Sequence, residues 1–438
     1  MNRRETRERL IELFYAAIRA GNPYHAVALR SKEIRSLYQE GGFKRLVVTG
    51  FGKAAYPMAK ALEDNLGNVI SNGIIITKYG HATRKDTKIK TFEAGHPIPD
   101  EMGLNGTEEI IKLLEESDEN TFVICLISGG GSALLVAPEH GISLKEKQEV
   151  TQLLLESGAD INEVNTVRKH LSRVKGGRLA EIAYPARVIS LILSDVIGDR
   201  LDVIASGPTE PDRTTFQDAL YVLEKYKLAT KIPSNILNHF KKGAEGFIVD
   251  TPKVGNPVFQ NVQNIIIGSN KTVLEAARQR AEELGFQTEI ITYELSGEAR
   301  KAAKWLAFRT KEIKNNLTGP PVTPICLLSS GETTVTVRGN GLGGRNIELA
   351  LSFAMEIEGV EGITMLSAGT DGTDGPTEAA GAIVDGTTVK KAKALGLYPE
   401  NFLNNNDSYR FFERIDGLFI TGPTGTNVMD IQIILIED

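Results

Sequence analysis

The sequence predicts an α/β fold in two domains, each a mostly parallel sheet flanked by helices. Three observations point there. Short apolar runs alternate with helical patterns along the chain, the alternation that strand–helix–strand units produce. Most of these runs are continuous and β-branched, the pattern of strands buried on both faces. A stretch without a clean period, KIPSNILNHFKKGAEGFIVDTPKVGNPVFQNVQ, then interrupts the alternation, and a fresh unit, NIIIGSNKTVLEAARQRAEELGFQTEIIT, follows it. The boundary is therefore expected near 250, giving domains 1–250 and 251–438.

Taken in order, the predicted strands are KRLVVTG (44–50), NGIIIT (72–77), TFVICLIS (121–128), RVISLILS (187–194), NIIIG (264–268), QTEIIT (287–292), PICLLS (324–329), GITMLS (362–367) and GLFIT (417–421). Helices between them include AAYPMAKALEDNL, ISLKEKQEVTQLLLESG, KTVLEAARQRAEELG and EARKAAKWLAFRTKEI. Ahead of the first strand, MNRRETRERLIELFYAAIRA reads as an amphipathic helix, because Glu5 and Glu8 among its arginines do not suit a leader peptide.

Composition removes several classes of function. The net charge is −6, and an acidic chain does not suit nucleic acid, which asks for a basic face. No apolar run approaches the roughly 18 residues of a membrane span, so a cytoplasmic protein without a membrane partner is expected. Cys125 and Cys326 sit in apolar strands and read as buried thiols, not a disulfide. There are 43 glycines in 438 residues, more than the usual share of about 7%.

The glycines cluster after strands and before helices, where backbone N–H groups face a ligand in open α/β sheets. The first loop, TGFGKAAYPMAK (49–60), fits G-x-G-x-x-A but lacks the acidic residue at the end of the next strand that would hold a dinucleotide ribose. That strand ends at Lys78, so only a weak case for a phosphorylated dinucleotide remains, through Lys78, Arg84 and Lys85. Lys53 instead sets a fixed positive charge at a helix start. The second loop, SGGGSALL (128–135), offers an anion nest of backbone N–H groups with Ser128 and Ser132 as donors, or a plain turn with a serine cap. The third, NTVRKHLSRVKGGRLA (165–180), carries five cations. Arg168 and Lys175 are seven residues apart, two helical turns, so they share a face and suit a carboxylate or phosphate clamp, with a helix break at Gly176-Gly177. In the fourth, LSDVIGDRL, Asp195 and Asp199 follow a buried strand. Such a pair suits Mg²⁺ or a general base, or simply a turn.

Two further loops lie in the second domain. SSGETTVTVRGNGLGGRNIELA supplies Gly331, Glu332, Thr333, Gly344, Arg345 and Asn346, and SAGTDGTDGPTEAAGA supplies Asp371, Thr373 and Asp374. Near the end, TGPTGTNVMD adds Asn427 and Asp430. No P-loop is present, since Ala54 follows Lys53, and neither C-x-x-C nor H-E-x-x-H occurs. His96 and His170 read as structural. Cations, Mg²⁺-type carboxylates and anion loops without a nucleophile describe phosphoryl transfer, which proceeds by positioning and charge neutralisation.

These blocks, TGFGKAA, SGGGSALL, NTVRKHLSRVKGGRLA, LSDVIGD, SSGETTVTVRGNGLGGRNIELAL, SAGTDGTDGPTEAAGA and TGPTGTNVMDI, resemble in this order the glycerate 2-kinases, from about 45 to 430. The resemblance implies an ATP- and Mg²⁺-dependent kinase that phosphorylates the 2-hydroxyl of D-glycerate. It also implies two Rossmann-like α/β domains with the active site in the cleft between them. Lys53 and Arg345 match the family's active-site cations, and Asp195 is expected as base or metal contact with Asp199 beside it. Glycerate and the phosphoryl group are expected at Ser128, Gly130, Gly131, Ser132, Arg168 and Lys175. ATP is expected at Gly331, Glu332, Thr333, Gly344, Asn346, Asp371, Thr373, Asp374 and Asn427. A hydroxypyruvate reductase is the alternative, and a homodimer is the base-rate expectation.

Overall fold

The computed structural model describes residues 3–82, 88–316 and 323–437; Arg84 and Lys85 lie outside them. The chain divides into two compact units, Pro23–Ile267 and Met1–Asn22 with Gly268–Asp438. The boundary thus falls 17 residues later than 250. The reason is a strand at Val262–Gly268 that adds to the edge of the first sheet. The N-terminal helix Arg3–Ala20 packs with the second unit, which the sequence does not announce.

In the unit Pro23–Ile267 the sheet comprises β1 (Arg45–Phe51), β2 (Ile70–Lys78), β3 (Ile89–Ala94), β4 (Thr121–Ile127), β5 (Arg187–Leu193) and β6 (Val262–Gly268). Their spatial order is β3-β2-β1-β4-β5-β6, and β3 through β5 pair in parallel. All seven residues of β4 are buried, because helices cover both faces of a parallel sheet. Val47, Ile76, Val123, Ile127 and Ile192 form one core with Ile110 and Leu114. Each such buried side chain contributes about 1.5–3 kcal/mol. A second core joins the helices Leu144–Glu156, Ile161–His170, Phe216–Lys225 and Ser234–Ala244 through Val150, Leu154, Val167, Phe216 and Phe240. Capping boxes at Ser143–Glu146, Asp160–Glu163 and Thr215–Asp218 fix where three of these helices begin.

The order 3-2-1-4-5-6 has one consequence for function. The chain leaves β1 towards one edge and β4 towards the other, so a crevice opens at the carboxyl ends of these two strands. The loops that follow β1 and β4 are the two glycine loops at Gly52–Lys53 and Ser128–Ser132.

The second unit corrects the expectation of a mostly parallel sheet. Its strands are β7 (Gln287–Glu298), β8 (Ile325–Thr334), β9 (Ile363–Gly369), β10 (Gly381–Asp385), β11 (Leu418–Phe419) and β12 (Asp430–Ile436), in the order β11-β10-β9-β12-β8-β7. Only β7 and β8 pair in parallel; the other pairings are antiparallel. The cause is β12, whose run DIQIILI inserts between β8 and β9 in the opposite direction, buried throughout, together with β10, which runs opposite to both of its neighbours. β3, β10 and β12 are strands that the sequence reading does not anticipate. Helices Ala299–Asn315 and Arg345–Glu356 supply Leu306, Ile347, Leu351 and Phe353 to the core on this sheet. Cys125 and Cys326 are both buried free thiols, as expected.

Candidate active site

At the switch point the two glycine loops are tied to each other. Lys53 N donates to Gly129 O at 2.9 Å, Ser128 N donates to Phe51 O at 3.1 Å, and Ala54 N donates to Ser128 Oγ at 3.0 Å. Ser128 is buried, and its hydroxyl oxygen accepts within this tie. Gly130 sits in the left-handed region at φ 82°. A methyl there would come within 2.9 Å of the His96 ring and 3.3 Å of Lys53 Cγ. A methyl on Gly129 would overlap the Asp195 carboxylate. Glycine at these two positions therefore lets Lys53, His96 and Asp195 close around one loop.

Asp195 lies two residues beyond β5, at the same carboxyl edge. Burial pushes its carboxyl above the ordinary carboxylate range, and the Lys53 charge opposes that rise. His96 is held down to about 4 by burial and by the charges of Lys53, Lys78 and His81, so its imidazole is neutral at neutral pH. Its ring lines the pocket that opens beside this edge. His170, in contrast, is fully buried, with Nε2 2.8 Å from Asp250 Oδ1, and is structural. Asp199 stands in a one-turn helix at φ 55° beyond Gly198.

A pocket of about 980 Å³ opens beside this edge, within the unit Pro23–Ile267. Gly130, Ser132 and His96 line it, together with Lys147, Arg168 and Lys175. Ser132 Oγ lies 2.9 Å from Ser206 Oγ, and Ser206 Oγ donates to Asn165 Oδ1 at 3.1 Å. Gly131 packs its backbone against Ala205 and Phe51. Arg168 and Lys175 do reach one pocket, but not as neighbours on one helix. The helix ends at His170, and a turn carries Lys175 back, with Gly176 and Gly177 both at positive φ. Lys147, on the helix Leu144–Glu156, is a pocket residue that motif reading missed.

In the second unit, Arg345 holds Asp430 in a two-pronged ion pair, Nε to Oδ2 at 2.6 Å and Nη2 to Oδ1 at 2.9 Å. Its Nη1 lies 3.0 Å from Glu332 Oε1. Burial lowers its proton affinity, but hydrogen bonding with Asp430 and the nearby carboxylate charges outweigh that and raise it. Asp374 caps the helix Arg345–Glu356, accepting from Asn346 N at 3.1 Å and Ile347 N at 2.8 Å. Burial, and secondarily the Asp430 charge, raises the Asp374 carboxyl to about 7. Gly344 leaves the room that this carboxylate fills. Asn346 is also buried, accepting from Ser367 Oγ at 2.9 Å. Gly331 and Thr333 are buried on β8, Gly331 pressed against the backbone of Leu295. Among the residues expected at a nucleotide, Glu332, Asp371, Thr373 and Asn427 keep exposed or half-exposed side chains. Asp371 Oδ1 accepts from Thr373 N at 3.1 Å, and Asn427 Oδ1 accepts from Met429 N at 3.3 Å.

A parallel six-stranded sheet with glycine loops at its switch point, followed by a mixed-sheet unit, defines an α/β enzyme class, and comparison with known proteins places it. Residues 9–241 match the model of a domain of unknown function (DUF4147), and residues 325–430 match the MOFRL family. A D-glycerate 2-kinase of Thermotoga maritima is 47% identical over 420 residues, covering 94% of this chain and 97% of that protein. A solved glycerate kinase from Thermotoga maritima superposes with a TM-score of 0.89 at 46% identity, covering 99% of this chain and all of that one. A protein of Agrobacterium vitis named putative hydroxypyruvate reductase is 42% identical, covering 90% of this chain and 99% of that protein. The chain belongs to the glycerate 2-kinase family.

Proposed function

We propose that this chain transfers the γ-phosphoryl group of ATP to the 2-hydroxyl of D-glycerate, giving 2-phosphoglycerate and ADP, with Mg²⁺ as cofactor. The observation that carries the reading is the close grouping of Lys53, the Gly129–Ser132 loop and Asp195 at the sheet's switch point. The glycerate 2-hydroxyl oxygen attacks the γ-phosphorus as the bond to the β,γ-bridging oxygen breaks. Asp195, its carboxyl raised by burial, accepts the hydroxyl proton. Lys53 neutralises charge on the phosphoryl oxygens, and the loop N–H groups with Ser132 orient them. Arg168 and Lys175 bind the anionic end of the substrate. In the second unit, Glu332, Asp371, Thr373 and Asn427 contact ATP. Arg345, Asn346 and Asp374 shape that surface with Gly331, Thr333 and Gly344.

Among the described residues no group of three or more His, Cys, Asp or Glu gathers to hold a metal. A full protein cage is therefore not the fit. Mg²⁺ commonly takes one or two carboxylates and completes its shell with substrate phosphates. Asp195, with Asp199 further along the same loop, suits that mode. When bound, Mg²⁺ supplies charge neutralisation on the phosphates.

The reductase name borne by the Agrobacterium vitis relative gives a second reading. Against it, β2 closes on Lys78, where a dinucleotide site wants a carboxylate for the ribose. Phosphorus NMR of the protein with ATP, Mg²⁺ and D-glycerate decides between them. Signals of 2-phosphoglycerate and ADP are expected. No phosphomonoester, together with steady NADH or NADPH oxidation by hydroxypyruvate, would replace the kinase with the reductase.

A further inference from the structure

The pocket beside Gly130 is wider than a three-carbon acid needs, and its charge is mostly positive, the exposed Glu149 being the carboxylate among its lining residues. Lys147 and Lys175 are almost completely buried, and both line it with Arg168. Among the described residues none of the three forms an ion pair. Lys147 Nζ donates to Leu171 O at 2.9 Å, Lys175 Nζ lies 3.4 Å from Ala205 O, and Arg168 has no hydrogen bond. Buried charges are ordinarily paired, because desolvation costs several kcal/mol per ion. Three cations gathered without an ion pair are a socket whose counter-charge arrives with the ligand.

Glycerate brings one negative charge. 2-Phosphoglycerate brings its carboxylate and about two more on the phosphate. We propose that Lys147, with Arg168 and Lys175, forms a product socket that recognises the phosphorylated acid by its extra charge and so favours 2-phosphoglycerate over glycerate. This rests on the kinase reading and extends it to a residue, Lys147, that no sequence motif marks. The electrostatics agree. Burial, with the charges of Arg168, Arg178 and Arg173 and against that of Glu139, lowers Lys147 to about 7. Burial and the charges of Lys147 and Arg168 lower Lys175 as well. A multiply charged anion bound among these groups opposes both shifts and favours the protonated lysines.

Calorimetric titration of the intact protein tests this at pH 8, where the phosphate, with its second pKa of about 6, is already a dianion and His96 is neutral. Titrations in two buffers of different ionisation enthalpy should show net proton uptake with 2-phosphoglycerate and less with glycerate. Lys147→Gln should weaken 2-phosphoglycerate about tenfold or more, the loss of one charge-assisted hydrogen bond. It should reduce the proton uptake and shift glycerate affinity far less. Lys147→Met, which keeps the apolar stem without the charge, should act in the same direction, which keeps the test open if one variant does not fold. Equal weakening of both acids, weakening of ADP alone, or no proton uptake in the unaltered protein would overturn the socket. Failure of the unaltered protein to phosphorylate glycerate in the NMR assay would instead overturn the kinase reading.

Discussion

Lys53 and Arg345 look equivalent as motif cations, yet their surroundings give them different burdens. Lys53 makes no ion pair among the described residues and stands at the end of β1 facing the Gly130 loop. Arg345 neutralises Asp430, a buried carboxylate at the start of β12, between β8 and β9. Lys53→Ala should therefore lower kcat by about 10²–10³-fold, the usual loss for one charge-stabilising group, while the melting temperature stays within a degree or two. Arg345→Ala strands a buried charge, which typically costs about 3–5 kcal/mol, so its melting temperature should fall markedly. Paired kinetics and calorimetry check both; an unchanged melting temperature for Arg345→Ala would mean the Asp430 pair is not structural. Activity lost in an Arg345 variant is thus not by itself evidence of catalysis.

At the scale of elements, the site depends on how closely the β4 loop approaches the strand ends. Gly129 has no side chain because the Asp195 carboxylate occupies that space. Gly129→Ala should push Asp195 from its place and lower kcat by about 10²-fold, the order expected for an ångström of misplacement. Circular dichroism should show the helices and strands unchanged. Near-normal turnover in this variant would remove Asp195 from the mechanism. The glycine loops and their flanking strands were legible because composition and order suffice to find them. Helical spacing suggests the Arg168–Lys175 pairing, whereas the helix ends at His170 and the non-helical stretch 171–174 brings Lys175 to the pocket. Lys147 had a signal that went unused. It falls on the stripe Leu144, Lys147, Val150, Leu154, the buried face of its helix, where a lysine asks for an explanation.

For the molecule as a whole, the chain's first helix belongs with its last half. Leu10, Leu13, Phe14 and Ala17 are fully buried, and the Phe14 ring meets Phe419 edge-on at 5.0 Å. Glu12 pairs with Arg280, and Thr6 Oγ1 donates to Glu437 Oε2 at 2.6 Å. Each large apolar side chain withdrawn from that core costs about 1.5–3 kcal/mol. Deleting residues 1–22 should therefore destabilise the unit formed by Gly268–Asp438, seen as a lower first melting transition, while the Pro23–Ile267 unit keeps its own. Two unchanged transitions would show the helix to be dispensable. This long-range pairing has no local signature, which is why a boundary drawn by composition at 250 assigned the helix to the other unit.

By itself the sequence determined the α/β class, the strand–helix alternation of the first unit and the loops that carry glycine beside Lys53, Ser132 and Asp195. These follow from local periodicity and backbone freedom, which neighbouring residues encode. Only the tertiary structure decided the direction of β12, and with it the mixed second sheet, because an apolar run does not say which way it enters a sheet. Tertiary structure alone also decided which charges are used up and which are kept open. Arg345 is neutralised by Asp430, 85 residues away, while Lys147 and Lys175, separated along the chain, are buried at one pocket and form no ion pair among the described residues. The pairing of a charge depends on what folds against it, and that is a property of the assembled chain.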